Sequence, residues 1–254
     1  MLKLAFYGKG GIGKSTTVCN TALALAEKGY KVLQVGCDPK ADSTSALLGG
    51  KKCVPVLELI RQYNDAFDWQ QMVNIGEKGI CCVEAGGPVP GRGCAGRGII
   101  NVLEKLESKG VYRELGVDVV LYDVLGDVVC GGFAMPMRNG YADKVFVVTS
   151  GENMSIYAAA NIASALENFK QRNYAALGGF ILNCRGVKDE ESKVQTLADD
   201  FNSSITGILP RSTVVQEAEE LHKAVLSAFP ESDMAECYRV LTDNILKNCG
   251  VEAC

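Results

Sequence analysis

Short apolar runs of β-type residues alternate along the chain with longer stretches whose apolar positions recur at helical spacing. The runs cover residues 2–7, 31–36, 80–84, 117–122, 144–149, 177–183 and 205–208. Most lack strict polar alternation, as strands buried on both faces of a parallel sheet do. Between the first two runs, Val18, Ala22, Leu25 and Ala26 share one face of a helix predicted over about 14–28, and Gly29 supplies its C-terminal stop. Further helices are predicted over 97–109, 154–172, 189–201, 214–224 and 234–247. The alternation predicts an α/β fold, a doubly wound and mostly parallel sheet flanked by helices. Ligands of such sheets bind beyond the carboxyl ends of the strands. No repeat, low-complexity tract or linker rich in Pro, Gly and Ser breaks the pattern, so residues 1–254 read as a single domain.

Composition narrows the function. A 254-residue domain buries roughly 70–75% of its unfolded surface, enough for a sizeable core. The net charge of −4 argues against general nucleic-acid binding, which needs a basic surface. The chain enters a strand at once, without a charged leader and apolar h-region. No apolar run approaches the ~18 residues that a bilayer span requires. A cytoplasmic protein that binds neither membranes nor nucleic acid is the expectation.

The first apolar run is followed by GKGGIGKST. Gly8, Gly13, Lys14 and Ser15 complete G-x-x-x-x-G-K-[ST], directly after a strand and opening a helix, the context that motif requires. Gly8, Gly10, Gly11 and Gly13, with Ile12 among them, let backbone N–H groups turn inward around phosphate oxygens, and the helix N-terminus adds positive potential. Lys14 then reaches the terminal phosphates and Ser15 offers a hydroxyl to Mg²⁺. The bland alternative is a glycine-rich turn. Lys9 reads either as a solvated lysine or as the extra lysine of the deviant-Walker ATPases, which this loop resembles. In that family it reaches across a dimer to the partner's nucleotide. The prediction is a P-loop NTPase working as two chains that face each other across ATP.

Two acidic loops follow strand ends. GCDPKADST carries Asp38 and Asp42, and YDVLGD carries Asp123 and Asp127. Mg²⁺ keeps several waters and takes one or two carboxylates, so not all four are ligands. The assignment is Asp123 to the water shell of magnesium and Asp38 or Asp127 to the attacking water; turn or cap roles are the alternative.

Eleven cysteines, an odd number at irregular spacing, do not read as a disulfide framework. Cys19, Cys81, Cys82 and Cys184 fit buried apolar patterns, whereas Cys53, Cys237, Cys249 and Cys254 sit in loop- or tail-like sequence with no assigned role. Cys37, Cys94 and Cys130 lie in loops rich in Gly or Asp. Cys130 stands seven residues beyond Asp123, a tether of at most roughly 23–25 Å. Glycines around Cys94 let N–H groups approach a sulfur-bound ligand. A [4Fe–4S] cluster wants four thiolates, and two chains each giving Cys94 and Cys130 supply them. Zinc and two unligated loop cysteines are the rivals. The one histidine, His222, falls in a Glu-rich predicted helix where a solvent-facing role fits better.

GKGGIGKST, GCDPKADST, GGPVPGRGCAGRG and YDVLGDVVCGGFAMP closely resemble the nitrogenase iron protein (dinitrogenase reductase) family, and the likeness continues through VTSGE, NCRG and PRSTVVQEAE. The resemblance implies a homodimer with one [4Fe–4S] cluster at its interface and one MgATP per subunit. It implies ATP-gated, one-electron delivery to a separate metalloenzyme, with ferredoxin or flavodoxin as donor. By position, Cys94 and Cys130 are then cluster ligands, and Lys9, Lys14, Ser15 and Thr16 hold phosphate and magnesium. Asp38, Lys40 and Asp42 form a first switch, and Asp123 and Asp127 belong to a second. Asn183, Pro210, Gln216 and Glu219 match nucleoside-recognising positions, and Arg97 matches an arginine of the docking face beside Cys94. Two departures stand out. Ser45 replaces the arginine that usually follows DPKADST, and the chain ends soon after LKNCGVEAC, short of the usual tail. Relatives of the same core serve other partners, in nickel-sirohydrochlorin diamide cyclisation or methylthio-alkane reduction. A positioning ATPase that partitions DNA or binds membranes would share the phosphate loop but give Cys94 and Cys130 no task.

Overall fold

The strands are β1 (Leu2–Tyr7), β2 (Val32–Gly36), β3 (Asn74–Ile75), β4 (Cys81–Glu84), β5 (Val119–Asp123), β6 (Lys144–Thr149), β7 (Ala176–Asn183) and β8 (Ile205–Leu209). They form one sheet in the order β3-β4-β2-β5-β1-β6-β7-β8. Every pairing is parallel except β3 with β4. The computed structural model describes residues 1–87, 95–126, 134–138, 140–169 and 174–251, apart from the side chains of Ala95, Arg97, Met135 and Phe169.

The helices are α1 (Lys14–Glu27), α2 (Val56–Tyr63), α3 (Ala95–Ser108), α4 (Val111–Leu115), α5 (Asn153–Phe169), α6 (Glu190–Asp200), α7 (Thr213–Glu220), α8 (Val225–Ala228) and α9 (Asp233–Asn248). The central strand β5 is buried along its whole length, and its side chains divide between two cores. Val120 and Tyr122 join α3, α5 and α6 through Val102, Ile162 and Val194. Val119 and Leu121 join α1 and α9 through Val18, Leu25 and Ile245. Burial on both faces explains why these strands read as unbroken apolar runs. Helix α1 ends as predicted. Gly29, at φ +86°, donates to Ala26 O (3.0 Å) and Tyr30 to Leu25 O (3.1 Å), the paired bonds of a Schellman cap. No helix among the described residues is long and apolar enough to cross a membrane.

The structure adds β3, α2, α4 and α8, elements of two to eight residues. It also corrects the helix predicted over 214–224. Helix α7 stops at Glu220, and His222 lies beyond it, exposed, at φ +55°. Cys19 and Cys82 are buried as expected, but Cys81 and Cys184 are only half-buried. Cys37 and Cys53 turn out to be core residues, Cys237 lies on α9 and Cys249 is its C-cap. Cys254 lies outside the described residues.

Register fixes what matters for chemistry. Gly36 pairs with Asp123 on one side and Glu84 on the other, and Phe6 pairs with Asp123. Three strands therefore finish level beside the loop that leaves β1.

Candidate functional site

The loop between β1 and α1 is built from residues 8–13, with Gly13 in the left-handed region (φ +93°) at the N-cap of α1. Thr17 ties that helix start down, its Oγ1 donating to Gly13 O at 2.9 Å. Lys14 opens the helix, and its ammonium is turned inward. Nζ lies 2.7 Å from Asp123 Oδ1, with Lys14 8% exposed and Asp123 1%. The other carboxylate oxygen, Oδ2, accepts from Ser43 Oγ at 2.5 Å. Ser43 is held in turn by Gln34, whose Nε2 donates to its carbonyl and hydroxyl oxygens at 3.1 Å each. A buried ion pair stays favourable only when its remaining donors and acceptors are bonded, and here both oxygens of Asp123 are.

Lys14 and Asp123, expected at phosphate and at the water shell of magnesium, meet each other in the structure, and Ser43 beside them has no counterpart in the sequence reading. That reading also passes over Glu84, which ends β4 as Asp123 ends β5. Glu84 Oε1 accepts from Thr44 N–H and Thr44 Oγ1, both at 2.7 Å. Its Oε2 has no partner among the described residues. Burial pushes this carboxyl up to about 7, the two bonds from Thr44 working against the rise and the charges of Asp123 and Asp42 adding to it. Gly36 makes the room, since a Cβ there would overlap Glu84 Oε2. The available signal was positional: a charged residue closing an apolar run in a parallel sheet lands on the ligand-binding edge.

The remaining predicted residues fall in three groups. The first surrounds the loop. Ser15 and Thr16 follow Lys14 in α1, half-buried. Asn183, at the end of β7, donates through Nδ2 to Ile12 O at 2.6 Å, and Arg185, another residue not foreseen, donates to Gly11 O at 2.7 Å. A cavity of about 240 Å³ borders residues 10–12 and is lined by Lys9, Glu152, Ser155 and Arg185. Ser155 Oγ is buried there without a partner among the described residues. The second group lies in the loop after β2. Asp38 is half-buried and accepts from Lys40 N–H at 2.8 Å, while Lys40 and Asp42 are exposed. The third lies beyond β8, where Pro210, Gln216 and Glu219 are exposed around α7. Cys94, Asp127 and Cys130 lie outside the described residues, as does the side chain of Arg97. The strands that deliver them are described. The loop leaving β5 presses on the phosphate loop so closely that a Cβ on Gly126 would overlap the backbone of Gly8.

An inward lysine, a glycine loop at a helix N-terminus and carboxylates ending the strands on either side of β2 form an arrangement that could hold a magnesium nucleotide. Solved structures agree with the fold. The septum site-determining protein MinD complexed with Mg-ADP from Pyrococcus horikoshii aligns with a TM-score of 0.74 at 20% identity, covering 98% of this chain and 97% of that one. A ParA family ATPase from Chlorobium tepidum aligns at 0.70 and 18% identity, covering 95% and 97%. At sequence level, nitrogenase iron protein 2 of Methanothermobacter thermautotrophicus is 49% identical, over 98% of this chain and 91% of its own length. Nitrogenase iron protein 2 of Methanothermococcus thermolithotrophicus is 47% identical, over 98% and 89%. The family model for 4Fe-4S iron sulfur cluster binding proteins, NifH/frxC family, matches residues 2–252, and on that coverage and those identities the chain belongs to this family.

Proposed function

We propose that this chain is the ATP-dependent one-electron reductase of a two-component metalloenzyme system. It forms one nucleotide-binding domain, acts as a homodimer in the cytoplasm, takes electrons from ferredoxin or flavodoxin and passes them to a separate metalloenzyme that docks near Cys94 and Arg97. The observation that carries the reading is the buried Lys14–Asp123–Ser43 connection. It joins the phosphate-reaching lysine directly to the strand whose continuation arrives at Cys130 seven residues later.

The residues fit the groups the family implies. Ser15 and Thr16, at the helix start, hold magnesium and phosphate, and Asp123 takes a water of the Mg²⁺ shell. Lys14 exchanges Asp123 for phosphate oxygens when the loop fills, which frees the carboxylate. Asp38 or Asp127 orients the attacking water, Lys40 and Asp42 belong to the same moving loop, and Lys9 reaches the partner's phosphates. Asn183, Pro210, Gln216 and Glu219 hold the nucleoside. Cys94 and Cys130 give two thiolates per chain, hence four per dimer, the donor set of a [4Fe–4S] cluster. When bound, that cluster supplies one-electron redox capacity.

Anaerobic purification tests this. A brown dimer with about four irons, whose iron becomes more accessible to a chelator on adding MgATP, supports the reading. A colourless protein with no iron ends it and leaves a positioning ATPase. Ser45, where the family pattern has arginine, favours a second reading in which the acceptor is a metalloenzyme other than nitrogenase. Electron delivery to purified nitrogenase component in vitro would sink that alternative.

A further inference from the structure

Two consecutive residues of the loop after β2 are gripped by two carboxylates that end the strands on either side of β2. Ser43 donates to Asp123 on β5, and Thr44 donates twice to Glu84 on β4. The first link lies on the route to Cys130. The second leads elsewhere, because from Glu84 the chain runs through Ala85, Gly86 and Gly87 toward Cys94. Contacts with the β2 side continue along that exit. Ala85 N–H donates to Gly36 O at 2.8 Å. Gly87 lies so near Pro39, in the same loop as Ser43, that a Cβ on it would stand 2.6 Å from Pro39 Cβ. Glu84 itself is 0% exposed and bonded through one oxygen only. Such a carboxylate destabilises a core, so packing alone is a poor reason for it.

We propose that Glu84 is a positioning residue that carries movement of the loop at residues 38–44 into the exit of β4, and so to the segment bearing Cys94. The loop then has two arms. Ser43–Asp123 serves Cys130, and Thr44–Glu84, with Pro39 against Gly87, serves Cys94. Both thiolate-bearing segments receive one movement, where the Asp123 arm alone would displace only one of them. The proposal rests on the nucleotide-gated reductase reading.

Hydrogen exchange of the anaerobically purified full chain, with and without MgATP, tests it on peptides spanning 38–45, 85–95 and 124–133. Chelator release of iron is followed in parallel. In the wild type MgATP changes exchange in all three peptides. Glu84→Ala is expected to cut the response at 85–95 at least fivefold, to leave the other two within twofold, and to lower the MgATP stimulation of iron release at least fivefold. Glu84→Gln keeps an oxygen acceptor for Thr44 and restores the response, which a merely structural role does not predict. A response at 85–95 that survives Glu84→Ala overturns the proposal, as does a Glu84→Gln variant as defective as Glu84→Ala. If Glu84→Ala does not fold, Thr44→Val is expected to halve the response at 85–95, and no change there overturns the proposal. A wild type without iron sinks the reductase reading separately, since the exchange arm needs only MgATP and still decides whether Glu84 transmits the movement.

Discussion

Asp123 and Glu84 occupy equivalent places: each ends a strand, each flanks Gly36, and each holds one residue of the same loop. Their electrostatics differ. Asp123 has a cation on one oxygen and a hydroxyl on the other. Glu84 has two donors on one oxygen, nothing on the other and no ion pair among the described residues. Burial therefore raises the carboxyl of Glu84 to about 7. A compensated carboxylate can swap its cation for another partner. An uncompensated one holds its loop through a bond whose charge is marginal near neutrality. The first suits a site that must respond to phosphate, and the second suits a contact that must yield.

The largest effect is expected from breaking the compensated arm. Lys14→Ala strips the cation from a buried aspartate, which costs about 3–5 kcal/mol. Urea unfolding of the nucleotide-free protein reads it directly, and MgATP should no longer change exchange at 124–133. A loss under about 1 kcal/mol would show that Asp123 is not held by Lys14 in solution.

The uncompensated arm is predicted to show itself through pH. The folded-state value of Glu84 lies near 7, above the ordinary 4.5, so folding favours its neutral form. Stability from this group is complete below about pH 4.5 and is lost as pH rises toward 7. At 1.36 kcal/mol per unit, the wild type loses roughly 2–3 kcal/mol relative to Glu84→Gln between pH 5 and 8. Parallel unfolding curves at the two pH values check this, and a constant difference between the proteins would mean that Glu84 titrates normally. Ser43→Ala is a smaller perturbation. It removes one donor to Asp123 and one acceptor of Gln34, and about 1–2 kcal/mol should be lost.

Much of this arrangement was legible beforehand because it follows from residue order. An apolar run, a glycine loop and Lys14 in sequence specify strand, turn and helix start, and Asp123 closing its run specifies a carboxylate at the ligand edge. Gly29 specified its own cap. What was hidden depends on which strands become neighbours. Nothing local to CCVE tells that β4 lies beside β2, so nothing tells that Glu84 meets Thr44 across 40 positions of sequence. The same holds for Ser43 on Asp123 and Arg185 on Gly11, each a pairing made by the sheet order. Helix α2 was legible and was passed over: in VLELIRQY, just after Pro55, the apolar Val56, Leu57, Leu59 and Ile60 recur at helical spacing. His222 was placed in a helix because a left-handed conformation at a histidine carries no side-chain signature.

The smallest predicted effect serves as the control that separates coupling from stability. Ser232 caps α9, its hydroxyl accepting from Ala235 N–H at 3.2 Å. Ser232→Ala should cost about 1 kcal/mol, close to what Ser43→Ala costs. Helix α9 belongs to the core on the α1 face, and Ser232 touches neither Asp123 nor Glu84 through any described bond. If the arms work through contact, this variant unfolds at lower urea yet keeps the MgATP response of all three peptides within twofold. If it weakens the response at 85–95 as Glu84→Ala does, then loss of stability alone moves that segment and the distinction between the two carboxylates carries no mechanical meaning.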